Sequence, residues 1–233
     1  ISVNTITVGR AGGNEITNTA LGVKTLSSNA TGSSNVAIGY FSLNLNNSGF
    51  NNTAVGSDSL SVNSSGSNNT SLGVSSLGSS TTSTHNTSVG LSSLGVLTGL
   101  TSSYNVAIGA QSGFYRGSGA SSLTTASRGV FIGYDSRASA NNQTNEIVIG
   151  SSAVGLGSNT AVIGATSQSS ATIYGTLNAP GGLSASNSII FNGGTGNTEI
   201  TVGLNLLKWK TRTVTTTTTS PTTIFSFNYR TFG

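Results

Sequence analysis

Few side chains in this sequence can do chemistry. His85 is the only histidine and there is no cysteine. The nitrogen and sulfur ligands of an ordinary metal site are therefore missing, and no metal or cofactor is expected. A Ser-His-Asp relay would need Asp58 to reach His85. His85, however, falls at a position held elsewhere by Ser34, Asn51, Asn68 and Tyr104, so a solvated turn residue is the simpler reading. Asp135 and Glu146 could approach as the carboxyl pair of a glycosidase, which needs a separation of about 5–10 Å. Salt bridges to Arg128 or Arg137 are the simpler use, because acid–base work also needs a cleft. The glycines do not form the G-x-x-x-x-G-K loop that cradles phosphate. Trp209 lies between Lys208 and Lys210, a combination that can stack on nucleic acid; an amphipathic strand with an inward Trp is the simpler reading. The Asn-x-Ser/Thr matches at Asn29 and Asn63 are expected by chance in this composition. No enzyme emerges from this inventory.

The elements that must position these residues form a repeat. Asn18-Thr-Ala-Leu-Gly22 returns as Asn35-Val-Ala-Ile-Gly39, Asn52-Thr-Ala-Val-Gly56, Asn69-Thr-Ser-Leu-Gly73 and Asn86-Thr-Ser-Val-Gly90, each 17 residues on. A sixth copy, Asn105-Val-Ala-Ile-Gly109, follows after 19, and looser copies end at Gly133, Gly150 and Gly164. Leu26, Leu43, Leu60, Leu77 and Leu94 recur in phase, each after a Thr or Ser. A 17-residue unit is too short for two helices with their turns and suits two short strands and two turns. The expected fold is all-β, a parallel β-roll or β-solenoid of about nine coils over residues 18–164, with equivalent residues about 4.8 Å apart. Alternation places Leu21 and Thr19 on one face and Ala20 and Asn18 on the other. The column Leu21, Ile38, Val55, Leu72, Val89 and Ile108 is expected inside with the Leu26 column. The Asn column is expected to bond amide to amide up the stack. The repeated Gly is expected at a bend that needs positive φ or a missing Cβ.

Composition agrees with a fibrous module. Charged residues make up 6% of the chain, against about 25% in an average soluble domain. The net charge is +4, and residues 1–207 balance to zero. The excess comes from Lys208, Lys210, Arg212 and Arg230, read as solvated cations and not as a nucleic-acid site. No run has the length of a transmembrane helix, so no membrane insertion is expected. With no Met and Ile at position 1, the sequence reads as a piece of a longer or processed protein.

The N-T-A-V-G-x-x-S-L unit with its Asn/Ser/Gly-rich turns resembles the repeats of trimeric bacteriophage tail-fibre proteins. It is also similar to the shorter repeats of the β-roll heads of trimeric autotransporter adhesins. The 17-residue period favours the phage group, as does the stretch Ile173–Leu183, which resembles a tail-fibre linker. The resemblance implies a homotrimer on a virion, in contact with other tail or baseplate proteins and with a host-surface glycan or protein. Its rivals are an adhesin head on a bacterial surface and a tailspike glycan depolymerase. Independently, the small residues Ala20, Ala37, Ala54, Ser71 and Ser88 on the second face are expected to admit another chain.

The remaining segments break the pattern. Residues 1–17 read as an N-terminal cap, 165–207 as a linker, and 208–233 as the start of a C-terminal β-domain. Residues 95–104 and 110–128 interrupt the period. The second interruption supplies Phe114, Tyr115, Arg116 and Arg128. Those are stacking and charge-pairing types suited to acidic sugars, so any host contact made by the roll is expected there and not at the regular coils. The simpler use of the loop is to brace the roll or clasp a neighbouring chain, with the C-terminal β-domain as the host-facing tip.

Overall fold

A strand needs residues that tolerate an extended, half-buried backbone, and each repeat offers only three before its glycine. In a computed structural model, those three residues are the strand. The structure describes the backbone of residues 2–3 and 6–9, together with residues 15–99 and 102–167. All lie in one compact unit, Ile1–Thr176. The linker and C-terminal expectations, Trp209 and the basic end included, lie outside the described residues.

The chain opens with β1 (Ser2–Val3) and β2 (Ile6–Gly9), followed by β3 (Thr19–Val23). The repeats then supply β4 (Val36–Ile38), β5 (Thr53–Val55), β6 (Thr70–Leu72), β7 (Thr87–Val89) and β8 (Val106–Ile108). Short strands β9 (Tyr115–Arg116), β10 (Ser121–Ser122) and β11 (Ala126–Ser127) occupy the second interruption. They lead to β12 (Val130–Ile132), β13 (Gln143–Thr144), β14 (Ile147–Ile149) and β15 (Ala161–Ile163). Strands β3 to β8, β12, β14 and β15 stack in parallel, in register Thr19↔Val36↔Thr53 and onward. They are nine rungs of a β-solenoid, about 40 Å long at the parallel-strand spacing. The expected second strand of each coil is instead a turn-rich leg. Its backbone still bonds coil to coil, as in Leu26 N–H to Ser42 O at 3.1 Å and Leu43 N–H to Ser59 O at 3.0 Å. The first edge is covered by β2, which pairs antiparallel with β3 and with β1. The opening segment thus adds antiparallel strands to the first edge of the stack.

The glycine bend is as the repeat requires. Gly39 has φ +131°, and a Cβ there would stand 2.5 Å from Gly56 O in the next coil. Handedness and close stacking both exclude a side chain.

The face assignment is inverted relative to the sequence expectation. Ala37, Ala54 and Ala107 are 0% exposed, whereas Leu21, Leu72 and Ile108 are 43–48% exposed. The small column lies inside and the aliphatic column outside. The reason is spatial: the interior already holds the fully buried Leu26, Leu43, Leu60, Leu77 and Leu94, and beside them two stacks of Asn. Three-residue strands bring the two legs too close for a second column of branched side chains. The Leu column is also unusual in its backbone, with φ of +46° to +50° from Leu26 to Leu94. A left-handed Leu costs roughly 1–2 kcal/mol, which complete burial of the side chain offsets at about 1.5–3 kcal/mol.

The Asn column bonds as expected. Asn52 Nδ2 donates to Asn35 Oδ1 at 3.1 Å, and Asn69 Nδ2 to Asn52 Oδ1 at 3.1 Å. A second ladder runs through Asn29, Asn46 and Asn63, and Ser59 and Ser76 donate to Ser71 and Ser88. Where the period breaks, packing compensates. Phe131 replaces the small inner residue, and its ring takes the room left by Gly113 and Gly129.

Candidate functional site

The described surface carries an ordered set of exposed apolar residues. Nine of the fourteen exposed large apolar residues lie on the outer side of the main sheet or just past its bend: Leu21, Tyr40, Leu72, Val74, Leu91, Ile108, Tyr134, Ile147 and Ile163. The repeat places them there. One strand residue points in, and its two neighbours must point out. Because parallel register is kept from β3 to β15, the exposed residues align into ladders along the whole roll. Contiguous apolar surface of this kind marks an interaction site.

The four residues expected to meet a ligand are not brought together. Phe114, Tyr115 and Arg116 lie in the second interruption, where β9 and β10 form a small antiparallel hairpin with Arg116 opposite Ser121. Arg116 Nε donates to the Ser122 carbonyl at 3.2 Å, so its guanidinium is partly spent on the hairpin. Phe114 packs edge-on to Tyr115 with centroids 4.7 Å apart, and its Cε2 would stand 3.0 Å from a Cβ at Gly95. Arg137 stacks over Tyr115 at 5.3 Å. The two interruptions brace each other, since Thr98 and Gly99 N–H groups donate to Thr124 O and Leu97 and Leu123 are fully buried. Arg128 is elsewhere, on the corner that leads into each strand. It stands 6.0 Å over the Tyr104 ring, which stacks on His85 at 4.7 Å and 13°. His85 is thus one exposed member of a turn column that also holds Asn51 and Asn68, the latter 3.3 Å from its Nε2.

The two acids have different partners. Asp135 binds Arg137 through two bonds of 2.6 and 2.8 Å. That hydrogen bond raises the guanidinium's pKa above its ordinary value, partly opposed by burial. Glu146, 1% exposed, occupies the Asn position of its coil. Its carboxylate accepts backbone N–H groups of Ser139 at 3.2 Å and Gly157 at 2.8 Å. Glycine at 155 leaves the room it needs, because a Cβ there would overlap the carboxylate. Neither Arg128 nor Arg137 bridges Glu146, contrary to the simplest sequence reading.

Among the described residues no cluster of three His, Cys, Asp or Glu could hold a metal ion, and no helix is long and apolar enough to cross a membrane. Comparison with family models, curated proteins and solved structures finds no match.

Proposed function

We propose that this chain is a shaft segment of a homotrimeric phage tail fibre or receptor-binding fibre, a structural virion component that serves attachment to a host cell surface. The observation that carries the reading is the outward apolar ladder. A roll that turns the small strand residues inward and the aliphatic strand residues outward has left a column of apolar side chains for a second layer. Copies of the same roll are the natural cover, because their ladders share one spacing and closed symmetry leaves no face bare. Three-fold closure and the place on a virion follow from the resemblance of the repeat. The mechanism is mechanical and multivalent: a stiff stack presents three copies of each surface feature at fixed spacing, so weak contacts add by avidity. The pairing of Asp135 with Arg137 and of Glu146 with backbone amides supports a structural reading of both acids over a catalytic one.

The test is sedimentation of the purified chain, with Val55→Lys/Leu72→Lys as the comparison. A particle of three 23.2 kDa chains that dissociates in the double variant is expected. A folded monomer at micromolar concentration would overturn the assembly, and a dimer would overturn its number. Antibody labelling of phage particles then asks whether the chain lies on a tail.

A further inference from the structure

A trough of about 470 Å3 runs along the leg that follows the main sheet, lined by Asp58, Ser75, Ser79, Ser92, Val96 and Phe114 among others. It exists because of what the repeat positions carry. In the corner column the residues are Phe41, Asp58, Ser75 and Ser92, and in the outer-leg column Leu45, Val62, Ser79 and Val96. The bulky Phe41 gives way to Asp58, Ser75 and Ser92, and Leu45 to the shorter Val62, Ser79 and Val96, with Phe114 lining the far end. From Asp58 to Phe114 the span is three coils, about 14 Å.

We propose that this trough binds a short neutral or amine-bearing oligosaccharide. The lining matches that chemistry. The hydroxyls of Ser75, Ser79 and Ser92 make no hydrogen bond to any described residue, and a serine hydroxyl can both donate and accept, as sugar hydroxyls do. Asp58 accepts a hydrogen bond from Ser57 Oγ at 2.9 Å on Oδ2, which leaves Oδ1 for a sugar hydroxyl or ammonium group. Half-buried Phe114 and Val96 offer apolar surface to the C–H face of a sugar ring, whose weakly positive hydrogens suit an aromatic face. A peptide is less well served. Recognition by strand addition needs free backbone groups, and here Asp58, Ser75, Ser79 and Ser92 each give their N–H to the carbonyl of a neighbouring coil. Asp58 and the lack of any lining Lys or Arg turn away acidic sugars. This reverses the expectation of acidic sugars, which grouped Phe114 with Arg116 and Arg128.

The site rests on the proposed assembly in one respect: no lining residue is among the exposed apolar residues of the outer face, but Asp58, Ser75 and Ser92 directly follow the column of Tyr40, Val74 and Leu91, so the trough must lie at the open edge of the interface.

The test is isothermal titration of the full chain with maltotetraose, cellotetraose, chitotetraose, the glucosamine tetramer and tetragalacturonate, each to about 10 mM. That ceiling corresponds to binding of only about −3 kcal/mol. The blocking variant is Ser75→Phe/Ser79→Leu, which borrows Phe41 and Leu45 from the same columns. Ser75 and Phe41 share φ of +53° and +54°, so the backbone accepts the change. At least one neutral or amine-bearing tetramer is expected to bind, and the blocking variant to weaken it at least about tenfold. Asp58→Asn is expected to weaken the glucosamine tetramer more than the others. Binding of tetragalacturonate alone, binding of none, or equal binding by the blocked chain would overturn the proposal. Sedimentation of the same samples separates the two readings. A trimer that binds no sugar defeats only the trough, and a sugar-binding monomer defeats only the assembly.

Discussion

Asn51 and Asn52 are neighbours with opposite roles, and changing each to Asp isolates what the buried ladder contributes. Asn52 is 0% exposed. Its Nδ2 donates to Asn35 Oδ1 at 3.1 Å and Gly66 O at 2.9 Å, and its Oδ1 accepts from Asn69 N and Nδ2, both at 3.1 Å. Aspartate keeps the two acceptor bonds. It loses both donor bonds and turns a carboxylate oxygen toward Asn35 Oδ1 and Gly66 O. Gly66 O retains Asn63 Nδ2 at 3.0 Å, and Asn35 Oδ1 retains Asn52 N–H at 3.0 Å, so neither is orphaned. The cost is the buried, unpaired charge. Burial and the two facing oxygens raise the pKa of the new carboxyl, because its protonated form can donate where the ionised form cannot. The native state then holds the proton to higher pH than the unfolded state. Stability is therefore highest below the unfolded value of about 4 and is lost as pH rises, by about 1.4 kcal/mol per unit until the native pKa is passed. A loss of about 3–4 kcal/mol at pH 7 is expected, with most of it recovered near pH 4. Asn51 is exposed and donates one bond, to Asn68 Oδ1 at 3.2 Å. Its replacement by Asp is expected to cost less than about 1 kcal/mol. Urea unfolding of both variants at pH 4, 5, 6 and 7 is the assay. Equal losses in the two, or an Asn52→Asp penalty that does not grow with pH, would refute the ladder argument.

Four further substitutions probe the same stack. Gly49→Ala places a Cβ against Gly66 O of the next coil and the Asn46 side chain; backbone cannot yield there, so soluble folded yield measured by circular dichroism should collapse. Leu60→Asp puts a charge at a fully buried site and should cost more than about 4 kcal/mol. His85→Ser gives up an exposed stack on Tyr104 and should cost about 0.5–1 kcal/mol; comparable melting losses for this pair would show the faces misassigned. Phe131→Ala should cost about 3–5 kcal/mol by emptying the space that Gly113 and Gly129 leave, and calorimetry should show a lower Tm with the assembly size unchanged.

The coil, its register and its length were legible because an exact 17-residue period forces equivalent residues to stack. The Asn ladder and glycine bend followed from the same regularity, since each needs one residue type at one position in every turn. The side of the strand that faces inward was not legible. Alternation separates Ala20 from Leu21 but carries no sign, and the usual rule that the larger apolar residue goes inside fails in a roll this thin. The signal that could have decided it was Phe131, a large residue in the Ala column, stacked on the preceding coil, whose Leu position is Gly113. An exchange of Leu for Gly in one column and Ala for Phe in another makes sense only if both columns share one interior. The four grouped site residues scattered for a related reason. A break in the period says where extra chain leaves the stack, but not onto which leg it folds back. Phe114 returned to the leg beside Gly95, and Arg128 was fixed to the opposite corner by the strand that follows it.

The inversion also changes what stabilises a single chain. In each regular coil the fully buried apolar content is one core Leu and at most one Ala. Burial of so little apolar surface offsets only part of the backbone entropy lost in fixing 17 residues. The coil-to-coil hydrogen bonds and the two amide ladders contribute, but their net value is about 1 kcal/mol per bond at best, and the polar interior is costly wherever one partner is missing. Asn63 Oδ1, Ser80 Oγ and Ser83 Oγ are buried without a hydrogen-bond partner, at the coil where Ser80 and Ser83 replace the Asn–Gly pairs of the coils before it. The apolar area that could close the difference is on the outside, aligned and unspent. A fold that saves its aliphatic column for the exterior gains stability in proportion to how much of that column another chain covers, so folding and association are expected to be coupled. Denaturation midpoints should then rise with protein concentration, by the mass-action relation that governs any species bound only by the native state. A midpoint independent of concentration over a hundredfold range would mean that the interior suffices alone, and would remove the physical ground for the proposed fibre.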